Sequence, residues 1–413
     1  MKVTQIRTIN FADFPNITML EIETDAGIVG LGETYYTPRS VTAYIEEVLA
    51  PMLLDADPLQ IEAFWRLAYD GSHVYGNKGL EMRCLSAVDV ALWDILGQHV
   101  GQPVWRLLGG SSHPDGVPIY NTCATAGYAQ GTPGIRRRGG AQIESLYRDY
   151  EAWHEDAGKL AQSLLEMGIR AMKIWPFDAA ALSNRGQTIS WKELDEGLRP
   201  WKQIRDAVGM DIDVILEGHG YWALQPARRI AEALEPYKPA LLEDLMKPDN
   251  PRTLAKLRES TRTPICASEL LMNRYAVEEM MRANACDVVM TDVTWSGGIT
   301  ESAQNRLYGR HQQPGRHLPR LHRPGDAGRR AAPFHPLHQH LDAGDRALIY
   351  AGLLPRPGRS RICGGKWPDA RPATPRHWRG HSARSAGTGG LRAQGAGGTI
   401  ERVSGLCWHF HKS

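Results

Sequence analysis

Four acidic residues, Glu217, Glu243, Glu269 and Asp292, end four short apolar runs and stand 26, 26 and 23 residues apart. The runs are Asp213-Val-Ile-Leu-Glu217, Ala240-Leu-Leu-Glu243, Pro264-Ile-Cys-Ala-Ser-Glu269 and Asp287-Val-Val-Met-Thr-Asp292, with a helix-like stretch in each interval. Apolar strand, acidic terminus and helix, repeated, is the pattern of consecutive βα units. In a parallel α/β barrel the strands all end at one rim, so side chains at those ends converge on one site. Unrelated surface acids would follow no such spacing. Three converging carboxylates form an oxygen-donor set suited to one hard divalent cation such as Mg²⁺.

Upstream the pattern differs. Val3–Ile9 and Ile17–Glu23 alternate apolar and polar residues around the hairpin turn Thr24-Asp25-Ala26-Gly27, which predicts antiparallel strands. Gly30-Leu31-Gly32-Glu33 lacks the third glycine and the following helix start of a nucleotide-binding loop. Helices are predicted over about 39–53, 58–70 and 81–99, the last ending near Gly97. Val117–Thr122 and Arg170–Trp175 read as the first two barrel strands, with helices at 144–167 and 190–208. Arg136-Arg137-Arg138, in a loop at 126–141, reads as a solvated turn or as a contact for an anionic substrate. The 413 residues have room for two domains, and 42% hydrophobic with 23% charged residues describes a globular chain. No signal-peptide core, membrane-length apolar run or CxxC spacing is present, so the expectation is a cytoplasmic protein with reduced thiols and no membrane partner.

Several motifs together resemble the enolase superfamily, in its mandelate racemase and muconate lactonizing branch, and galactonate-type acid-sugar dehydratases above all. The residues are Thr24-Asp25-x-Gly27-x-x-Gly30-x-Gly32-Glu33, Ser86-Ala87-x-Asp89-x-Ala91-Leu92-Trp93-Asp94 and Gly101-x-Pro103-Val104-x-x-Leu107-Leu108-Gly109-Gly110. They continue as Glu243-Asp244, Ala267-Ser268-Glu269, and Asp292 with Gly297-Gly298-Ile299-Thr300-Glu301, so the resemblance covers roughly residues 1–301. It implies an N-terminal α+β capping domain (1–115) over a modified TIM barrel, (β/α)7β, here partial and spanning 116–302.

It also implies a reaction. A base removes the proton beside a carboxylate, one Mg²⁺ stabilises the enediolate, and an acid helps the β-hydroxyl leave. By resemblance Glu217, Glu243 and Glu269 are the metal ligands, with Glu217 standing where many relatives carry Asp. His219 matches the general acid of the Asp-x-His pattern, and alternation along an extended segment would place it on the side of Glu217. Lys173 matches the first lysine of the racemase Lys-x-Lys motif and is expected to bind the substrate carboxylate. Trp175 replaces the second lysine, which argues against a two-base racemase. Trp175, Tyr36 and His73 are candidate substrate contacts, alongside cap residues Tyr35 and Tyr75. Leu245 departs from the usual Glu-Asp-Pro. The expected partner is a small sugar acid, and the family is commonly homo-oligomeric. An epimerase or cycloisomerase of a sugar acid uses the same constellation.

Asp292 in this family orients a basic histidine on the next strand, and no βα pattern follows Glu301 to supply it. Instead, residues 303–413 contain 17 Arg, 2 Lys, 5 acids and ten of the fifteen histidines, a net +14 against −12 for the rest. An out-of-frame tail explains both facts. Codons permitted for Pro319–Ala327, read one nucleotide later, allow His-Asp-Cys-Thr-Gly-Pro-Val-Thr-Leu, which resembles the strand bearing the base. Family-like runs are likewise permitted over Gln304–Arg310 and Leu341–Gly344. On this reading the tail is disordered, the last barrel strands are lost, and the chain is inactive or impaired. The rival is a basic tail for nucleic acid, which would pattern Arg and Lys among aromatics, yet Lys is nearly absent.

Overall fold

The computed structural model describes residues 1–12, 14–110, 117–124 and 148–304. The expected domain boundary at 115/116, the Arg136–Arg138 loop and nearly all of the basic tail therefore lie outside the described residues.

The N-terminal part opens with a three-stranded antiparallel meander, β1 (Val3–Asn10), β2 (Ile17–Thr24) and β3 (Val29–Tyr35). Strand β2 alternates between half-buried and buried positions, as a sheet with one covered face should. The cover is the helix Leu80–Val100, twelve of whose residues are buried. Gly30 and Gly32 make that contact possible. A Cβ at Gly30 would lie 2.2 Å from the Ala91 carbonyl oxygen, and one at Gly32 1.9 Å from that of Ala87. The paired glycines thus serve helix–sheet approach. Helices Pro38–Tyr44, Ala50–Leu53 and Ile61–Ser72 complete the cap, with a π-helical turn at Ile45–Leu49 where a single helix was expected. Pro51 supplies a reason, since it has no N–H to return to the turn before it.

The second part is a five-stranded parallel sheet in sequence order: β4 (Ala171–Ile174), β5 (Asp213–Glu217), β6 (Leu241–Glu243), β7 (Ile265–Ala267) and β8 (Val288–Val289). Helices Asp149–Glu166, Trp191–Val208, Leu224–Leu234, Pro251–Arg258 and Arg274–Arg282 lie between or before the strands. Alternate strand residues divide the core. Val214, Leu216, Leu242, Ile265 and Val289 face the helices, while Ile215, Leu241, Cys266 and Val288 form an inner cluster with Tyr120 and Met290. This is the modified TIM barrel under an α+β cap, with the rim at the strand C-termini.

Two local expectations need correcting. Val117–Thr122 is not a full strand: Asn121 alone bridges Met172, donating to the Ala171 carbonyl at 2.9 Å and accepting from the Lys173 N–H at 2.8 Å. The Asn121 side chain accepts from the Cys123 N–H at 2.6 Å, and Cys123 is left-handed (φ 52°), so the chain turns away at once. A helix at Asp178–Asn184, absent from the sequence reading, follows β4.

Cap and barrel are joined through residues 294–300. Thr34 Oγ1 donates to the Thr294 carbonyl (3.0 Å), Trp65 Nε1 to the Gly297 carbonyl (2.6 Å) and Gly297 N–H to Ser86 Oγ (2.8 Å). Asp89 Oδ2 accepts the Thr300 N–H at 3.0 Å, while its Oδ1 is buried without a partner. Burial pushes the Asp89 carboxyl up to about 7, so the native state holds its proton. Below the ordinary value near 3.8 both states are protonated and this contribution is complete; as pH rises towards 7 only the unfolded chain ionises, and stability is lost. The shift corresponds to roughly 4 kcal/mol at most. Asp89→Asn, which keeps an acceptor for Thr300, should therefore gain stability relative to the parent between pH 4 and 7 in paired thermal melts. A constant difference across that range would show that Asp89 is not protonated in the fold.

Candidate metal centre and active site

Strand register brings the first two acids together. Glu217 and Glu243 are direct partners across the β5–β6 pair, each the last residue of its strand. Glu269 lies two residues beyond β7, in the turn, where Ser268 Oγ donates to its Oε2 or to Asp244 Oδ2, each at 2.6 Å. Carboxylate oxygens from Glu217, Glu243 and Glu269 all fall within 4.8 Å of one another. The sequence-predicted triad is thus one cluster.

Lys173 crosses it from β4. The residue pairs with Ile215, one layer below the carboxylates, and its stem carries Nζ up to Glu217 Oε2 (2.9 Å) and Glu243 Oε1 (3.0 Å). Lys173, Glu217 and Glu243 are all buried, and Glu243 Oε2 has no hydrogen-bond donor. Burial, then the Glu217 charge, pushes the Glu243 carboxyl well up. At Glu217 burial also acts upward but is overcome by the positive charges of Lys173 and His219, which hold its carboxyl at about 2. Burial likewise opposes the Lys173 charge, and the surrounding carboxylates, Glu243 first, keep its pKa well up. Even with His219 charged, two cations face the carboxylates of Glu217, Glu243, Glu269 and Asp178, so negative charge is in surplus in a desolvated pocket. The orphaned oxygen, the spacing and the all-oxygen donor set fit a hard divalent cation.

His219 reaches the rim by a different route from the one the sequence suggested. It is not extended but left-handed (φ 49°), and its backbone N–H donates to Glu217 Oε1 at 2.8 Å. The turn is fixed by its neighbours: Gly218 N–H donates to the Glu243 carbonyl (2.9 Å) and Gly220 N–H to that of Asp244 (2.6 Å). A Cβ on Gly218 would lie 2.7 Å from Leu245 Cα, so a side chain there would block the turn. His219 Nδ1 stands 2.9 Å from Asp178 Oδ2, at the start of the helix after β4. Burial lowers the imidazole pKa, but Glu217 and Asp178 prevail and raise it to about 9. The Trp175 and Tyr221 rings each lie 5.7 Å from the imidazole ring.

Asp292 follows β8 by three residues, its Oδ1 accepting from Thr294 N–H (2.8 Å) and Oγ1 (2.7 Å). Enclosure pushes its carboxyl up to about 6 against the pull of Thr294. Among the described residues no histidine is hydrogen-bonded to it. Tyr36, also left-handed, packs edge-on against Trp295 at 5.6 Å. Trp175 is buried against Trp153 and Tyr150 as well as His219. His73 is exposed at the end of Ile61–Ser72 and makes no hydrogen bond with the carboxylate cluster, while Tyr75, 59% exposed, pairs with Tyr44. Sequence reasoning missed Asp178, Arg83 and Trp295. Asp178 follows an apolar strand as the other acids do, a signal that was present. Arg83 and Trp295 sit in runs that read only as cap helix and turn.

Residues 6–109 match the model of the mandelate racemase / muconate lactonizing enzyme N-terminal domain, and residues 156–308 that of the enolase C-terminal domain-like family. A D-mannonate dehydratase of Novosphingobium aromaticivorans is 30% identical over 303 residues, 73% of each chain. An arabinonate dehydratase of Saccharolobus solfataricus is 31% identical over 287 residues, 69% of this chain and 67% of its own. A crystal structure from Agrobacterium tumefaciens, described as an enolase of the mandelate racemase subgroup, is 37% identical with a TM-score of 0.65, covering 75% of this chain and 76% of its own.

Removing one ligand tests the cluster directly. Mg²⁺ at about 100 times its dissociation constant should stabilise the protein by about 2.7 kcal/mol. Glu243→Gln should abolish most of that gain in a thermal melt. An equal gain in the variant would place the cation elsewhere.

Proposed function

Because the chain belongs to the mandelate racemase and muconate lactonizing enzyme branch of the enolase superfamily, we propose that it is by ancestry a Mg²⁺-dependent acid-sugar dehydratase whose metal and acid groups are kept and whose base is lost. Its likeness to dehydratases classes it with the carbon–oxygen lyases. The observation that carries the reading is the placing of His219 beside the carboxylate triad, with Asp178 at its back.

Glu217, Glu243 and Glu269 would hold the cation, which when bound would offset the second negative charge that develops on a carboxylate losing its α-proton. The remaining work belongs to side chains. Lys173 supplies a buried positive charge for the substrate carboxylate. His219, an imidazolium at neutral pH, is loaded to donate a proton to a departing β-hydroxyl, and Asp178 holds its ring. Trp175 and Trp153 exclude water behind that histidine. A tryptophan at position 175 leaves no second lysine base there, which favours elimination over two-base racemisation.

Among the described residues Asp292 has no histidine to form a proton-abstracting dyad, and we read residues 303–413 as translated out of frame. The strand that should carry the histidine then falls in the other frame. Sequencing the gene across codons 300–306 tests this; a run that reads through in one frame in close relatives would sink it. The activity test compares two proteins with Mg²⁺ and a panel of acid sugars in D₂O. The chain as given should neither exchange the α-proton nor release a 2-keto-3-deoxy acid. The frame-restored protein should do both, and its His219→Asn variant should keep exchange while losing elimination by about 10²-fold or more. A restored protein inert towards every acid sugar would refute the dehydratase reading.

A further inference from the structure

The cap contributes a cation to the rim that the mechanism above does not use. Arg83 lies in the first turn of Leu80–Val100, half-buried, with its guanidinium carbon 3.5 Å from the centre of the Trp295 ring and 5.1 Å from that of Tyr36. Trp295 is itself tied to the end of β8, since its N–H donates to the Asp292 carbonyl at 3.1 Å. The guanidinium is therefore held over the aromatic ring of a residue whose backbone is tied to Asp292. Asp292 and Glu269 are near enough to act on its charge, yet Arg83 makes no ion pair with any described residue. Its one side-chain hydrogen bond among the described residues is a long one, from Nη1 to the Tyr35 carbonyl at 3.4 Å.

Other sheltered arginines contrast with it. Arg258 pairs with Asp287, Arg274 with Glu301, and Arg205 donates to the carbonyls of Tyr237, Gly209, Ile212 and Lys238. A guanidinium has five N–H donors in a planar fork, and no Arg83 nitrogen is buried without a partner, so the donors not turned to Tyr35 are open to solvent or a ligand. A carboxylate satisfies two of those donors at once, where a hydroxyl takes one. Lys173, the cation assigned to the first carboxylate, is held on the triad side of the site by Glu217 and Glu243.

We propose that Arg83 is a specificity residue that takes a second carboxylate of the substrate, at the end remote from the carboxylate triad, so that the substrate class is a dicarboxylic acid sugar. This rests on the acid-sugar reading above. Isothermal titration of the full chain with galactarate and with galactonate, which differ only at C6, tests it with saturating Mg²⁺ throughout. Galactarate should bind about tenfold or more tightly than galactonate. Arg83→Gln should erase that preference and leave galactonate within about twofold of its parent value, and Arg83→Lys should keep part of it. The comparison on the parent chain needs no variant to fold. Galactonate bound as well as galactarate, or a preference that survives Arg83→Gln, overturns the assignment to Arg83 alone. Binding of neither acid overturns the acid-sugar reading with it.

Discussion

The pairing of Lys173 with Glu217 and Glu243 sets the terms for everything around it. These three charged groups are buried at the centre of the rim, where unpaired charges could not persist. Strand order makes the pairing possible: β4, β5 and β6 are neighbours, and the register puts both glutamates at one height. Negative charge still exceeds positive there, and the surplus acts outward. Burial first, and then this surplus, draws Glu243 towards its protonated form; the surplus also raises the His219 pKa, and one Glu243 oxygen is left without a donor. The proposed metal site, the proposed acid and the proposed substrate charge thus share one electrostatic origin.

Much of this was legible in the sequence because barrel strands carry a strong signal. Apolar runs buried on both faces, each capped by an acid, showed the βα units and the triad before any coordinates. The same signal overstated strand length. β6, β7 and β8 hold three, three and two residues, so Glu269 and Asp292 sit in turns beyond them. His219 was assigned the right neighbour by the wrong geometry. Period-two alternation assumes extended backbone, whereas the glycines on either side and the carbonyls of Glu243 and Asp244 bend the chain left-handed.

Contacts made across the two parts were not legible at all. Arg83 and Trp295 are 212 positions apart, and neither run has a period that announces the other. Within the barrel, Asp178 carried the signal of an acid after an apolar strand, but its approach to His219 depends on the pairing of β4 with β5. Partnerships of this kind depend on tertiary placement rather than on local pattern, and a single sequence carries no trace of them.

The Gly218–Gly220 turn has a consequence for how such a site can change over time. Its path is set by backbone hydrogen bonds and by two residues without side chains, so the middle residue contributes little to the shape of the loop. Glu217 and Glu243 are held by their own strands on the other side of that turn. Position 219 therefore behaves as a socket. Residues that tolerate a left-handed backbone fit there, so that, on the proposed mechanism, the proton donor could be exchanged while the carboxylate cradle stays in place. One barrel can in this way acquire a new reaction by a single replacement, with the cost of rebuilding the ligand geometry avoided.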